Sequence, residues 1–198
     1  MEEKSLIRQL VNGKYGKRYL EIGAFRYDYS QCSELYHQDG YTGIVFEPQF
    51  SFNRQYAEMF KTDRPKDEIL PRAVSDYSGF AHLYVGGMTD TACSTILEEE
   101  ANRLPYQWEK QTVDVFDAKM FHGNFDFMCI DVEGMEERII KRLDFNILKV
   151  GVFCIESLQH GTGRQMWHGW EPTLIEAGYE YIDSIEGGLN RIYKHKEY

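Results

Sequence analysis

Residues 125–137 read Phe-Asp-Phe-Met-Cys-Ile-Asp-Val-Glu-Gly-Met-Glu-Glu. Apolar residues dominate the first six, too short a run for an amphipathic helix, and the run stops at Asp131. A strand buried on both faces has this pattern. Gly134 then allows a sharp turn, and Met135, Ile139, Ile140 and Leu143 fall on one helical face, so a helix is expected over 133–143. A buried strand running directly into a helix is one unit of a parallel α/β sheet.

The pattern repeats outward. RYLEIG (18–23), GIVFEP (43–48) and VGVFCIE (150–156) are further strands ending in Gly, Pro or an acid. Helices are expected near 6–11, 30–37, 51–61, 96–104 and 170–177. Residues 69–74 read as a third strand, and 80–85 as a short added one. Gly86, Gly87, Thr89, Asp90 and Thr91 predict a mobile loop. Gln159 to Gly169 reads as a polar loop. The C-terminal stretch from Tyr179 to His195 reads as two strands around Gly187 and Gly188, a hairpin signal. The expected architecture is α/β: a mostly parallel sheet with an antiparallel last strand and helices on both faces.

The chain has 198 residues, which suits one domain: an N-terminal helix in 1–16 and a core over 17–198. Its net charge of −10 disfavours a phosphate backbone as partner, so no nucleic-acid substrate is expected. No apolar run reaches membrane-spanning length, and the charged start, MEEKSLIRQL, is unlike a signal peptide. Cys32, Cys93, Cys129 and Cys154 form no CxxC pair, and Cys129 and Cys154 sit inside strands. Four reduced thiols in a cytoplasmic protein is the economical reading. Nothing in the sequence fixes an oligomeric state.

Ligands of open α/β sheets bind beyond the carboxyl ends of the strands. Here those ends carry Glu21 and Gly23, Glu47, Asp131 and Glu133, and Glu156. The turn at Gly23 lacks the later glycines of GxGxxG, so it gives little support to a pyrophosphate. Glu47 stands 24 positions after Gly23, where an acid can accept both ribose hydroxyls of a dinucleotide or of S-adenosylmethionine. Asp131 and Glu133 can act as general base or metal ligands, or simply cap the following helix.

LEIGA, VFEP, IDVEGME and FCIES, in that order and spacing over residues 18–156, resemble the FkbM family of S-adenosylmethionine-dependent methyltransferases. The resemblance implies a Rossmann-like class I methyltransferase fold with a seven-stranded sheet. It implies that Glu21, Ile22, Gly23 and Ala24 approach the methionine part of the cofactor, with Asp131 nearby. Glu47, with Pro48, would hold the ribose, and Val74 and Ser75 would flank the adenine. It also implies O-methyl transfer to a sugar, glycan or similar small hydroxylated acceptor. The family usually has Asn and Gly where this chain has Phe25 and Tyr27, which should narrow the methionine end or reshape its loop.

Asp131 is the first candidate base, with Glu156, Glu133 and His160 as assistants. Metal-free base catalysis is placed ahead of Mg²⁺ held by Asp131, Glu133 and Glu156. His160 and His168 read as exposed loop histidines, and Trp167 and Trp170 as packing under that loop. The alternatives are a nicotinamide-dependent oxidoreductase sharing the glycine turn and Glu47, and a non-catalytic glycan- or partner-binding relative.

Overall fold

The computed structural model describes residues 3–86 and 93–198, with side chains from Leu6 onward. In chain order the elements are α1 (Glu3–Leu10), β1 (Arg18–Ile22), α2 (Ser33–Asp39), β2 (Thr42–Phe46), α3 (Arg54–Asp63), β3 (Glu68–Leu70), β4 (Ala73–Ser75) and β5 (Gly79–Gly86). Then follow β6 (Ser94–Thr95), α4 (Glu98–Arg103), β7 (Trp108–Asp117), β8 (Gly123–Ile130), α5 (Glu136–Arg142) and β9 (Leu148–Glu156). The small strands β10 (Leu158–Gln159) and β11 (Arg164–Gln165), α6 (Glu171–Glu176), β12 (Tyr179–Ile185) and β13 (Asn190–His195) complete the chain.

The main sheet is seven-stranded, in the order β12-β13-β9-β8-β1-β2-β3. Pairings from β9 through β3 are parallel. Both pairings of β13 are antiparallel. The α/β class agrees with the sequence, but the mostly parallel sheet expected there is corrected to a mixed one. The terminal hairpin puts two antiparallel ladders at one edge. A second, four-stranded sheet, β4-β7-β5-β6, also carries antiparallel ladders.

That second sheet explains two further corrections. Residues 69–74 are not one strand: Pro71, which has no N–H for a ladder, divides β3 in the main sheet from β4 in the second. The ten-residue β7, absent from the sequence reading, buries Val113 and Val115 in a sequence otherwise rich in charge. Gln159 to Gly169 holds the β10–β11 ribbon rather than plain loop. The loop expected from Gly86 lies almost wholly outside the described residues.

Two apolar cores cover the main sheet. On one side Ile7 of α1, Leu35 of α2 and Phe60 of α3 pack on Phe127, Cys129 and Cys154. On the other, Ile139 and Ile140 of α5, Trp170 just before α6 and Leu174 within it pack on Met128, Ile130 and Phe153. This double cover is why β8 is apolar from Phe127 to Ile130. Cys32, Cys129 and Cys154 are buried thiols, and Cys93 is half-buried. No described helix is long and apolar enough to cross a membrane.

One polar group sits deep in this packing. Arg64, fully buried, donates to Glu21 (3.2 Å) and Tyr19 (3.3 Å) and lies 3.6 Å from Asp67. Tyr19 donates to Asp67, which also accepts from the Gly43 N–H (2.9 Å). The cation thus ties β1, β2 and the end of α3 together. Removing one partner of such a group strands the rest. Arg64→Met should therefore cost about 3–5 kcal/mol, read as a fall in the urea midpoint at unchanged slope. An unchanged midpoint would show that Glu21 and Asp67 need no cation.

Candidate functional site

The tips of β1, β2 and β8 are stitched beyond the strands themselves. Asp131 N–H donates to Ile22 C=O (3.0 Å), Gly23 N–H to Phe46 C=O (2.9 Å), and Glu47 N–H to Leu70 C=O (3.1 Å). Gly23 has φ +83°, and a Cβ there would lie 1.7 Å from the carbonyl oxygen of Asp131. The two strand tips therefore meet backbone on backbone, which only glycine permits. Above them opens a cavity of about 210 Å³.

Of the residues singled out in the sequence, Glu21, Ile22, Gly23, Ala24, Glu47, Pro48, Val74, Asp131 and Glu133 line this cavity. Ser75 does not; its hydroxyl bonds Asp76 (3.0 Å). Glu156 and His160 lie in an adjoining recess behind Glu133. Glu21 reaches the cavity wall, but its carboxylate accepts from Ser30 (2.6 Å) and from Arg64.

Glu47 is buried and accepts from the N–H groups of Phe25 (2.7 Å) and Gln49 (2.9 Å). Burial pushes its pKa up to about 7, against the pull of those two donors. The Phe25 N–H reaches Glu47 from a backbone at φ +49°, with its ring against Tyr29 (5.3 Å) and Tyr56 (5.6 Å). The backbone of Phe25 thus contributes directly to the setting of Glu47.

The β8 tip is a second acidic centre. Glu136 folds back so that its carboxylate accepts from Val132 N–H (2.9 Å) and Gly134 N–H (3.0 Å). This fixes Glu133 at φ +55°. The helix consequently starts at Glu136 rather than at 133, and neither Asp131 nor Glu133 caps it. Burial, then the carboxylates of Glu136 and Glu186, push Asp131 to about 7. Burial, then Asp131 and Glu136, push Glu133 to about 8. Glu156 is raised by burial and by Asp131 and Glu133. Oxygens of Asp131, Glu133 and Glu156 lie within 4.8 Å of one another.

His160 contacts Cys93 Sγ (3.3 Å) and Tyr106 Oη (3.2 Å), so it is engaged rather than a free loop residue. His168 lies against Trp167, which packs on the Arg191 guanidinium (4.1 Å). Trp170 is fully buried, as read from the sequence. The sequence reading missed Gln31, whose buried Oε1 has no hydrogen-bond partner among the described residues. Its Nε2 donates to Glu186 (3.2 Å) across the cavity mouth. It also missed Leu83, in β5 of the second sheet, and Ile96, just after β6, which line the cavity. No motif signalled these; they arrive through the topology.

Residues 21–181 match the methyltransferase FkbM domain. The chain belongs to that family, and its activity class is methyl transfer. No curated protein matches the sequence. Among solved structures, StiE O-MT residues 961–1257 is similar at 10% identity with a TM-score of 0.51; the match covers 98% of this chain and 73% of that one. An O-methyltransferase family 2 protein from Planctomyces limnophilus, in complex with apigenin, matches at 11% identity and TM-score 0.44, over 92% of this chain and 52% of that one. The N,N-8-amino-8-demethyl-D-riboflavin dimethyltransferase RosA from Streptomyces davawensis matches at 10% and 0.45, over 97% and 53%. The chain therefore spans only about half the length of the latter two.

The raised carboxylates set a pH dependence. Glu47, Asp131 and Glu133 titrate near 7 to 8 when folded but near 4 when unfolded. The folded chain binds more protons in between, so their contribution to stability is present at low pH and lost as pH rises from about 5 to about 8. Tm should fall across that window, and Glu133→Gln should flatten the fall. A Tm rising steadily across it would contradict the assignment.

Proposed function

We propose that the chain transfers a methyl group from S-adenosylmethionine to a hydroxyl of a sugar, glycan or similar small acceptor. Residues 17–198 would act as one catalytic unit of the class I methyltransferase kind. The carrying observation is that Glu47 and Asp131, from different strands, face one cavity beside the Gly23 turn. The residues present fit the cofactor. Glu47 has acceptor capacity for a ribose diol, the orphan Oε1 of Gln31 suits an ammonium group, and Phe46, Val74, Leu83 and Ile96 offer an apolar wall for a base. Carboxylates along the rim also suit a ligand bearing a sulfonium charge. S-adenosylmethionine, when bound, supplies an electrophilic methyl group.

The chain's own residues would do the rest. Ile22, Gly23 and Ala24 offer backbone close to the methionine part, with Pro48 beside the ribose. Asp131 would take the proton of the acceptor hydroxyl, with Glu133 and Glu156 holding the local charge. A base with a pKa near 7 is well matched to this task at neutral pH. The hydroxyl reading rests on the basic carboxylate beside the cavity and on the family resemblance.

Glu47→Ala should weaken S-adenosylmethionine binding by about 1.5–3 kcal/mol through lost charge-assisted hydrogen bonds, measured by calorimetry; unchanged affinity would remove Glu47 from the site. Asp131→Asn should leave that affinity nearly intact and depress turnover; full turnover would discard Asp131 as base. Acceptors are best found by screening sugars with labelled S-adenosylmethionine and reading a gain of one CH₂ by mass. Cofactor binding with no acceptor of any kind modified would favour a non-catalytic relative.

A further inference from the structure

A second constellation lies behind Glu133. Cys93 just before β6, Glu133 in the β8–α5 turn and His160 in the β10–β11 ribbon come from three distant segments. Their donor atoms nevertheless lie within 4.8 Å of one another. Cys93 Sγ is 3.5 Å from His160 Nδ1 and 3.3 Å from Nε2. In a tetrahedral zinc site, bonds of about 2.3 Å to sulfur and about 2.0 Å to nitrogen set a sulfur–nitrogen edge of roughly 3.6 Å. The 3.5 Å between Sγ and Nδ1 matches that edge.

The surroundings hold each donor in place. Tyr106 Oη meets His160 Nε2 (3.2 Å). The tautomer protonated at Nε2 satisfies the tyrosine and leaves the Nδ1 lone pair, 3.5 Å from the sulfur, unprotonated for a metal. Arg103 donates to the His160 C=O (2.8 Å) and pairs with Glu100, which pins the ribbon. Thr95 Oγ1 donates to the Glu133 C=O (2.9 Å), tying the Cys93 strand to the Glu133 turn. Among the described residues Glu133 forms no ion pair with Lys or Arg, though Asp131, Glu136 and Glu100 all add negative charge around it.

We propose that Cys93, Glu133 and His160 bind one zinc-type divalent cation. The mixed sulfur, nitrogen and oxygen donors select a borderline-soft ion over Mg²⁺, which prefers oxygen alone. Three protein ligands leave a coordination position for an exogenous oxygen, as in catalytic rather than structural zinc sites. Because Glu133 also lines the main cavity, the ion would sit at its rim. Only its use on an acceptor hydroxyl rests on the function proposed above; the binding itself does not.

The test uses the full chain, stripped with a chelator and titrated with Zn²⁺ alone, then with Co²⁺ as a spectroscopic probe. One zinc per chain is expected, with a cobalt spectrum carrying a thiolate charge-transfer band. Cys93→Ser should abolish that band, and Cys93→Ser and His160→Ala should each weaken zinc binding roughly tenfold or more, with circular dichroism confirming that both variants fold. Zinc bound equally by the variants would overturn the proposal. So would equal affinity for Mg²⁺ and Zn²⁺ without a thiolate band, which would move the cation to the carboxylates of Asp131 and Glu156. Absence of zinc from protein that still binds S-adenosylmethionine would overturn this inference and leave the methyltransferase reading standing.

Discussion

The contact between Gly23 and the carbonyl of Asp131 governs the site. A side chain at residue 23 would occupy the space of that oxygen. Without one, the tips of β1 and β8 close together, and hydrogen bonds carry the same edge on to β2 and β3. The acids that end these strands are thereby crowded onto one rim. Crowding and burial raise their pKa values together, since several carboxylates this close cannot all ionise cheaply. The acid–base character of the rim is thus a product of backbone packing.

The acids near the strand tips fall into two groups. Glu21 and Asp67, below the rim, share the Arg64 cation and the hydroxyls of Ser30 and Tyr19. Glu47, Asp131, Glu133 and Glu156, at the rim, form no ion pair among the described residues. Acids left without a cation cost stability, and proteins keep such arrangements mainly at sites of function. Arg64 therefore neutralises the acids just below the rim and leaves those at the rim without a cation.

Much of this was legible in the sequence because strand ends announce themselves. The apolar runs before Gly23, Glu47, Asp131 and Glu156 gave four strands, and Gly187 and Gly188 gave the hairpin turn. Other features gave no local sign. Nothing in WEKQTVDVFD separates a ten-residue strand from an exposed polar segment until β5 pairs with it. Pro71 was visible, but the change of sheet at that point depends on β7. Glu136 looked like any first-turn acid, yet it holds the backbone of Val132 and Gly134. Cys93 and His160, separated by 67 residues, acquire meaning only when the β10–β11 ribbon meets the end of β6.

The Gln31 amide bridges the cavity mouth with only one of its two ends. Its nitrogen is committed to Glu186 in the turn between β12 and β13, while its oxygen is buried and has no partner among the described residues. An amide can give and receive at once, so a donor arriving from solution need not compete with the turn. It would polarise the amide and strengthen the N–H on the far side. One side chain thus links the two walls through its nitrogen and keeps an acceptor facing inward through its oxygen.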